Sequence, residues 1–116
     1  MTNLEMIRAD SAGIPVLRLR GRLTLGEGSR ALRGLISDIA AEGHKNLMLD
    51  LGEVSYMDSS GLGALVSGYN TLKAQSGGVA LFNVPKRIES LLEMSRLTML
   101  FQIFGTEKEA AGHFSA

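Results

Sequence analysis

The stretch "LMLDLGEVSYMDSSGLGALVSGY", Leu47 to Tyr69, decides how the chain is read. Leu47, Leu49 and Leu51 recur at every second residue, which places them on one face of a strand. From Leu62 the period lengthens: Leu62, Leu65, Val66, Tyr69 and then Leu72 fall at helical spacing, an amphipathic helix running to about Gln75. Between the two lies "YMDSSGLG", Tyr56 to Gly63, at the passage from sheet to helix. Two serines, an aspartate and a Gly-x-Gly occupy that junction.

The same change of period recurs on both sides. Upstream, "IPVLRLRGRL" from Ile14 to Leu23 alternates, with Leu17, Leu19 and Leu23 on one side and Arg18, Arg20 and Arg22 on the other. The preceding "LEMIRAD" pairs with it as a short edge strand through a turn at Ser11 to Gly13, with Pro15 limiting regular pairing. "SRALRGLISDIAAEG" is helical, with Leu32, Leu35, Ile36, Ile39 and Ala40 on one stripe, Ser29 as its N-cap and Gly43 as its stop. Downstream, "VALFNV" is a short buried strand, Pro85 opens a third helix carrying Ile88, Leu91 and Leu92, and "MLFQIF" from Met99 to Phe104 is the last strand. Thr106 and Glu109 have capping-box spacing, so a final short helix starts there and seats Phe114. The order β-β-α-β-α-β-α-β-α predicts an α/β fold with right-handed crossovers and a mostly parallel or mixed sheet. Alternation within the strands predicts helices on one face only, leaving Arg18, Arg20 and Arg22 as a solvated row on the other.

Composition narrows the class. The chain has 116 residues, the size of a single domain, and is 45% hydrophobic and 21% charged, as in globular proteins. Twelve basic residues balance twelve acidic ones, which argues against a protein that binds nucleic acid through phosphates. There is no cysteine, so disulfides and thiolate metal sites are excluded, and a reducing cytoplasm is compatible. The first ten residues lack signal-peptide order, and no apolar run reaches the ~18 residues that span a bilayer. A cytoplasmic protein without direct membrane insertion is expected.

Four chemistries compete for the serine stretch. Capping alone suits it, because Ser and Asp favour helix N-termini. A nucleophile suits it less: neither Ser59 nor Ser60 lies in a Gly-x-Ser-x-Gly elbow, and a triad needs His44 or His113. A phosphate-binding loop fails on spacing, since Val66 stands where a third glycine belongs. The fourth is a phosphoacceptor, a hydroxyl held at a helix N-terminus where the dipole tolerates an added dianion. Gly61 and Gly63 cost helix propensity, roughly 0.8 to 1 kcal/mol each against alanine, which is understandable if something approaches the backbone closely.

"LMLDLGEVSYMDSSGLGALVSGYNTLKAQSGG", continuing through "VALFNVPKRIESLLEMSRL", resembles the STAS domain of bacterial anti-sigma factor antagonists from about Leu17 to Ala110. The resemblance implies a small mixed β-sheet with helices packed on one face, spanning residues 1–116 as a single domain, and a regulatory binding protein, not an enzyme. It implies that the unphosphorylated chain binds an anti-sigma factor that is also a serine kinase, releasing the sigma factor. Phosphorylation of Ser59 ends the association, and a PP2C-type phosphatase restores it. Asp58 then orients the acceptor, while Ser60, Gly61, Leu62 and Gly63 form contact surface and helix start. Nucleotide and Mg²⁺ arrive with the partner, so no cofactor is expected. Thr24 lies in a region that relatives use for partner recognition, but where many carry an acidic residue this chain reads Gly21-Arg22-Leu23-Thr24. Arg96 stands where glycine is common. The alternative is a STAS scaffold without a switch, or a cytoplasmic subunit of a transporter or signalling assembly.

Overall fold

The computed structural model describes residues 4–115. Strand β1 (Leu4–Ser11) turns back into β2 (Ile14–Leu23), followed by α1 (Glu27–Ala41), β3 (Asn46–Met57), α2 (Ser59–Lys73), β4 (Gly78–Phe82), α3 (Lys86–Met94), a short 3-10 turn (Leu97–Met99), β5 (Gln102–Phe104) and α4 (Glu107–Ser115). The five strands form one sheet in chain order. β1 and β2 are antiparallel, and β2 to β5 pair in parallel. Pairing runs straight through Pro15, which faces Asp10 in register.

Alternation builds two cores. Leu17, Leu19, Leu23, Leu47, Leu49, Leu51, Val79 and Leu81 point to one face, where α1 to α3 cover them with Leu32, Ile36, Leu65, Leu72, Ile88 and Leu92. The intervening residues Val16, Met48, Ala80 and Phe82 point the other way and are also buried, against Ala110, Ala111 and Phe114 of α4. The mixed α/β sheet is as expected. One-sided packing holds for the first three helices but not for α4, because apolar residues on both faces of β4 require cover on both.

Three boundaries differ from the sequence reading. Helix α1 begins two residues before Ser29, and its N-cap is Gly26, whose φ of 114° suits glycine. β3 continues beyond Leu51 to Met57. The last strand keeps only Gln102 to Phe104, since Leu97 to Met99 wind into the 3-10 turn. That turn starts at Arg96, which adopts the left-handed conformation (φ 61°). Thr106 caps α4 as expected, the Glu109 amide donating to its Oγ1 at 3.2 Å, but the Glu109 carboxylate accepts from the Thr106 hydroxyl at 3.1 Å and not from its backbone amide, so only the first half of the capping box forms.

Candidate functional site

The parallel strands β2 and β3 end side by side, Leu23 opposite Met57. Functional groups in α/β sheets gather at such carboxyl ends. Here two loops leave together, Thr24 to Gly26 towards α1 and Asp58 directly into α2. Asp58 is the N-cap of α2: its Oδ1 accepts from the Gly61 amide at 3.0 Å. Its Oδ2 accepts from the Leu25 amide at 3.1 Å, so one carboxylate ties both loops. The Gly61 bond foremost, with those from the Leu25 and Ser60 amides, holds the Asp58 carboxyl below its usual pKa against a smaller opposing effect of burial.

Ser29 grips the same loop from α1. It is buried, and its hydroxyl donates to the Thr24 carbonyl at 2.6 Å. Its role is therefore not the cap expected of it but an anchor inside the helix, three residues after the actual cap, Gly26. With the loop pinned from both helices, Leu25 projects into solvent and is 80% exposed. Thr24 beside it is half-buried.

Ser59 is the first residue of α2 and is exposed, whereas Ser60 is half-buried. Gly61 is buried, and a Cβ there would sit 2.2 Å from the Leu23 carbonyl oxygen and 2.7 Å from Met57 Cγ. Its lack of a side chain lets the helix start lie directly on the end of β2. Leu62 packs partly against the main core. At Gly63 a Cβ would meet Arg33 Nη2 at 3.2 Å, so an α1 cation lies over the second turn of α2. The structure thus brings Thr24, Asp58, Ser59, Ser60 and Gly61 into one junction, with Leu62 turned inward and Gly63 making room for Arg33. Sequence reading overlooked Leu25 and Arg33. An apolar residue just before a helix offered a faint signal for Leu25; Arg33 offered none.

The arginine row is engaged. Arg18 bridges Asp50 at 3.0 Å and Glu107 at 2.9 Å, joining β2, β3 and α4, while Arg20 lies 3.7 Å from Glu5. The Arg22 guanidinium covers the Tyr56 ring at 5.0 Å.

Neither histidine can serve a serine here. His44 precedes β3 and lies 3.6 Å from Glu42, whereas Ser59 follows the far end of that 12-residue strand, so the two stand at opposite ends of the sheet. His113 packs beside the Phe104 and Phe114 rings and lines a hollow with Gly77 and Gly78, at the start of β4. A Ser-His pair therefore does not form. Among the described residues there is no cluster of metal-ligating side chains, and no helix long and apolar enough to cross a membrane.

The family model of the STAS domain matches residues 5–110. The chain belongs to the STAS domain family. It is similar to an anti-sigma-B factor antagonist of Listeria monocytogenes, 37% identical over 67 residues, 58% of this chain and 59% of that protein. The chain thus spans under two thirds of the length of that relative. It is also similar to an anti-sigma F factor antagonist of Paenibacillus polymyxa, 27% identical over 108 residues, covering 93% of this chain and 92% of the other. Among solved structures, the Bacillus cell fate determinant SpoIIAA in its phosphorylated form superposes with a TM-score of 0.74 at 24% identity, over 95% of this chain and 99% of that one. At that identity the likeness bears on the fold.

Proposed function

We propose that this STAS domain is an anti-sigma factor antagonist switched by phosphorylation of Ser59. The observation that carries the reading is the placement of Ser59: an exposed hydroxyl on the first turn of α2, next to a cap that fixes the backbone on both sides. Relatives named as antagonists of anti-sigma factors support the partner class. In this reading the unphosphorylated protein acts in the cytoplasm as one domain, binds an anti-sigma factor that is also a serine kinase, and so frees a sigma factor.

The physics of the switch is local. A phosphoryl group adds about −1.5 to −2 charges. At the N-terminus of α2 the helix dipole and unpaired amides accommodate that charge, so the fold tolerates it. Inside an interface without a matching cation the same charge costs several kcal/mol. A loss of about 3 kcal/mol already weakens binding roughly a hundredfold. Asp58 adds to the negative field, and a PP2C-type phosphatase resets the site. Thr24, Ser60 and Gly63 line the surface the partner meets, supported from beneath by the buried Gly61 and the inward-turned Leu62, with Leu25 as its most exposed apolar element.

The test is incubation with candidate anti-sigma kinases and ATP, followed by mass spectrometry of the peptide containing Tyr56 to Gly63 and by binding measurements. Phosphate is expected on Ser59. Ser59→Ala should keep the association without switching, and Ser59→Glu should weaken it. Equal binding by the unaltered chain and both variants would refute the switch and leave the scaffold or assembly-subunit reading.

A further inference from the structure

The end of β3 and one flank of α3 enclose a groove of about 530 Å³. Its apolar lining comes from Tyr56, Met57, Ile88, Leu91 and Met94. Two of these are unusually open, Met94 at 82% and Tyr56 at 46% exposure. Apolar surface left wet and rimmed by polar groups marks an interaction site more often than chance exposure does.

The rim is cationic. Arg87 lines the groove and is exposed, and Arg22 lies over the Tyr56 ring. Among the described residues the ion pairs are Arg8 with Glu42, Arg18 with Asp50 and Glu107, Arg20 with Glu5, and His44 with Glu42. Arg22 and Arg87 belong to none of them. The carboxylates of α3, Glu89 and Glu93, fall on the opposite side of that helix from Arg87, Leu91 and Met94 by its 3.6-residue period. Both rim arginines are thus left without an ion-pair partner among the described residues.

A second copy is a poor occupant. Two-fold pairing through this groove would set arginine rim against arginine rim. An apolar trough flanked by cations suits an amphipathic helix whose apolar stripe is bordered by Asp and Glu. The groove is also continuous in the chain with the switch, since Tyr56 and Met57 lead directly into Asp58 and Ser59.

We propose that this groove receives an acidic amphipathic helix of the same kinase partner, an inference that rests on the functional reading above and names the chemistry of its second contact. Phosphate on Ser59 then stands near the carboxylates of that helix as well as in the interface, and the repulsion reinforces release.

The experiment measures affinity of the unphosphorylated chain for the kinase taken from the phosphorylation assay, alongside Ser59→Glu. Arg87→Glu and Met94→Glu, both at exposed positions, should each weaken binding at least tenfold; Arg87→Lys should retain most of it, and higher salt should lower it. Thermal melts check that each variant is folded. If Ser59→Glu abolishes binding while the groove variants bind normally, or if Arg87→Glu binds more tightly, the groove proposal is wrong and the switch stands. If the groove variants fail and Ser59→Glu binds normally, the groove stands and the switch falls. Absence of binding by the unaltered chain to every candidate kinase overturns both.

Discussion

Asp58 divides one carboxylate between its own helix and the loop that leads into α1, accepting from Gly61 and from Leu25. Replacing it with alanine removes the cap of α2 and the tether of Leu25 together. We expect Asp58→Ala to cost about 1 kcal/mol, the usual value of such a cap, measured by urea unfolding at neutral pH. The acid limb gives an independent reading. Because the folded-state pKa is depressed, the stabilisation is complete above the unfolded value near 3.9 and is lost as pH falls through the lower, folded value. Asp58→Asn keeps a cap acceptor without titrating, so its stability below about pH 4 should fall less steeply than that of the unaltered chain. Identical acid limbs would show that the carboxylate bonds do not hold in solution. The Asp-Ser-Ser-Gly run was legible as a helix start because its residue types carry their capping preference locally. The second half of the Asp58 function was not: the Leu25 amide is 33 residues away in sequence and arrives only when β2 and β3 pair.

Most elements announced themselves by period. Leu17, Leu19 and Leu23 fixed the inner face of β2, and Ile36, Ile39 and Ala40 the buried stripe of α1. Boundaries went astray where a tertiary contact outweighed local preference, as at Ser29, drawn inside α1 by the Thr24 carbonyl. The run "VALF" has no polar alternate and carried the signal that β4 is covered twice, which α4 confirms. Arg96, noted in the sequence as standing where glycine is common, holds the left-handed conformation. A non-glycine residue in the left-handed region costs roughly 1–2 kcal/mol, part of which glycine gives back as unfolded-state entropy. Arg96→Gly is therefore expected to stabilise by about 0.5–1 kcal/mol, read as a higher urea midpoint at an unchanged slope. The side chain is exposed and in no ion pair among the described residues, so little opposes the gain. A loss of stability would mean that the arginine contributes something its surroundings do not reveal.

Across the whole molecule, the sheet keeps what must stay fixed apart from what must change. Arg18 binds three elements together on the face that α4 covers, and both histidines lie at the opposite strand ends from Ser59. At the junction, the buried positions Gly61, Leu23 and Met57 set the geometry, while the Ser59 side chain is exposed at the start of α2. A switch so arranged should alter binding without altering folding. Negative charge in the first turn of a helix contributes roughly 0.3–1 kcal/mol in its favour, less where another carboxylate such as Asp58 is already present. Ser59→Glu should therefore match the unaltered chain in unfolding free energy or exceed it by no more than about 1 kcal/mol, with the margin shrinking as salt screens it. The measurement is paired urea unfolding of both proteins at low and high salt. If Ser59→Glu instead lost more than about 1 kcal/mol, reduced partner binding could reflect a loosened α2, and the charge at the interface would no longer be its sufficient cause.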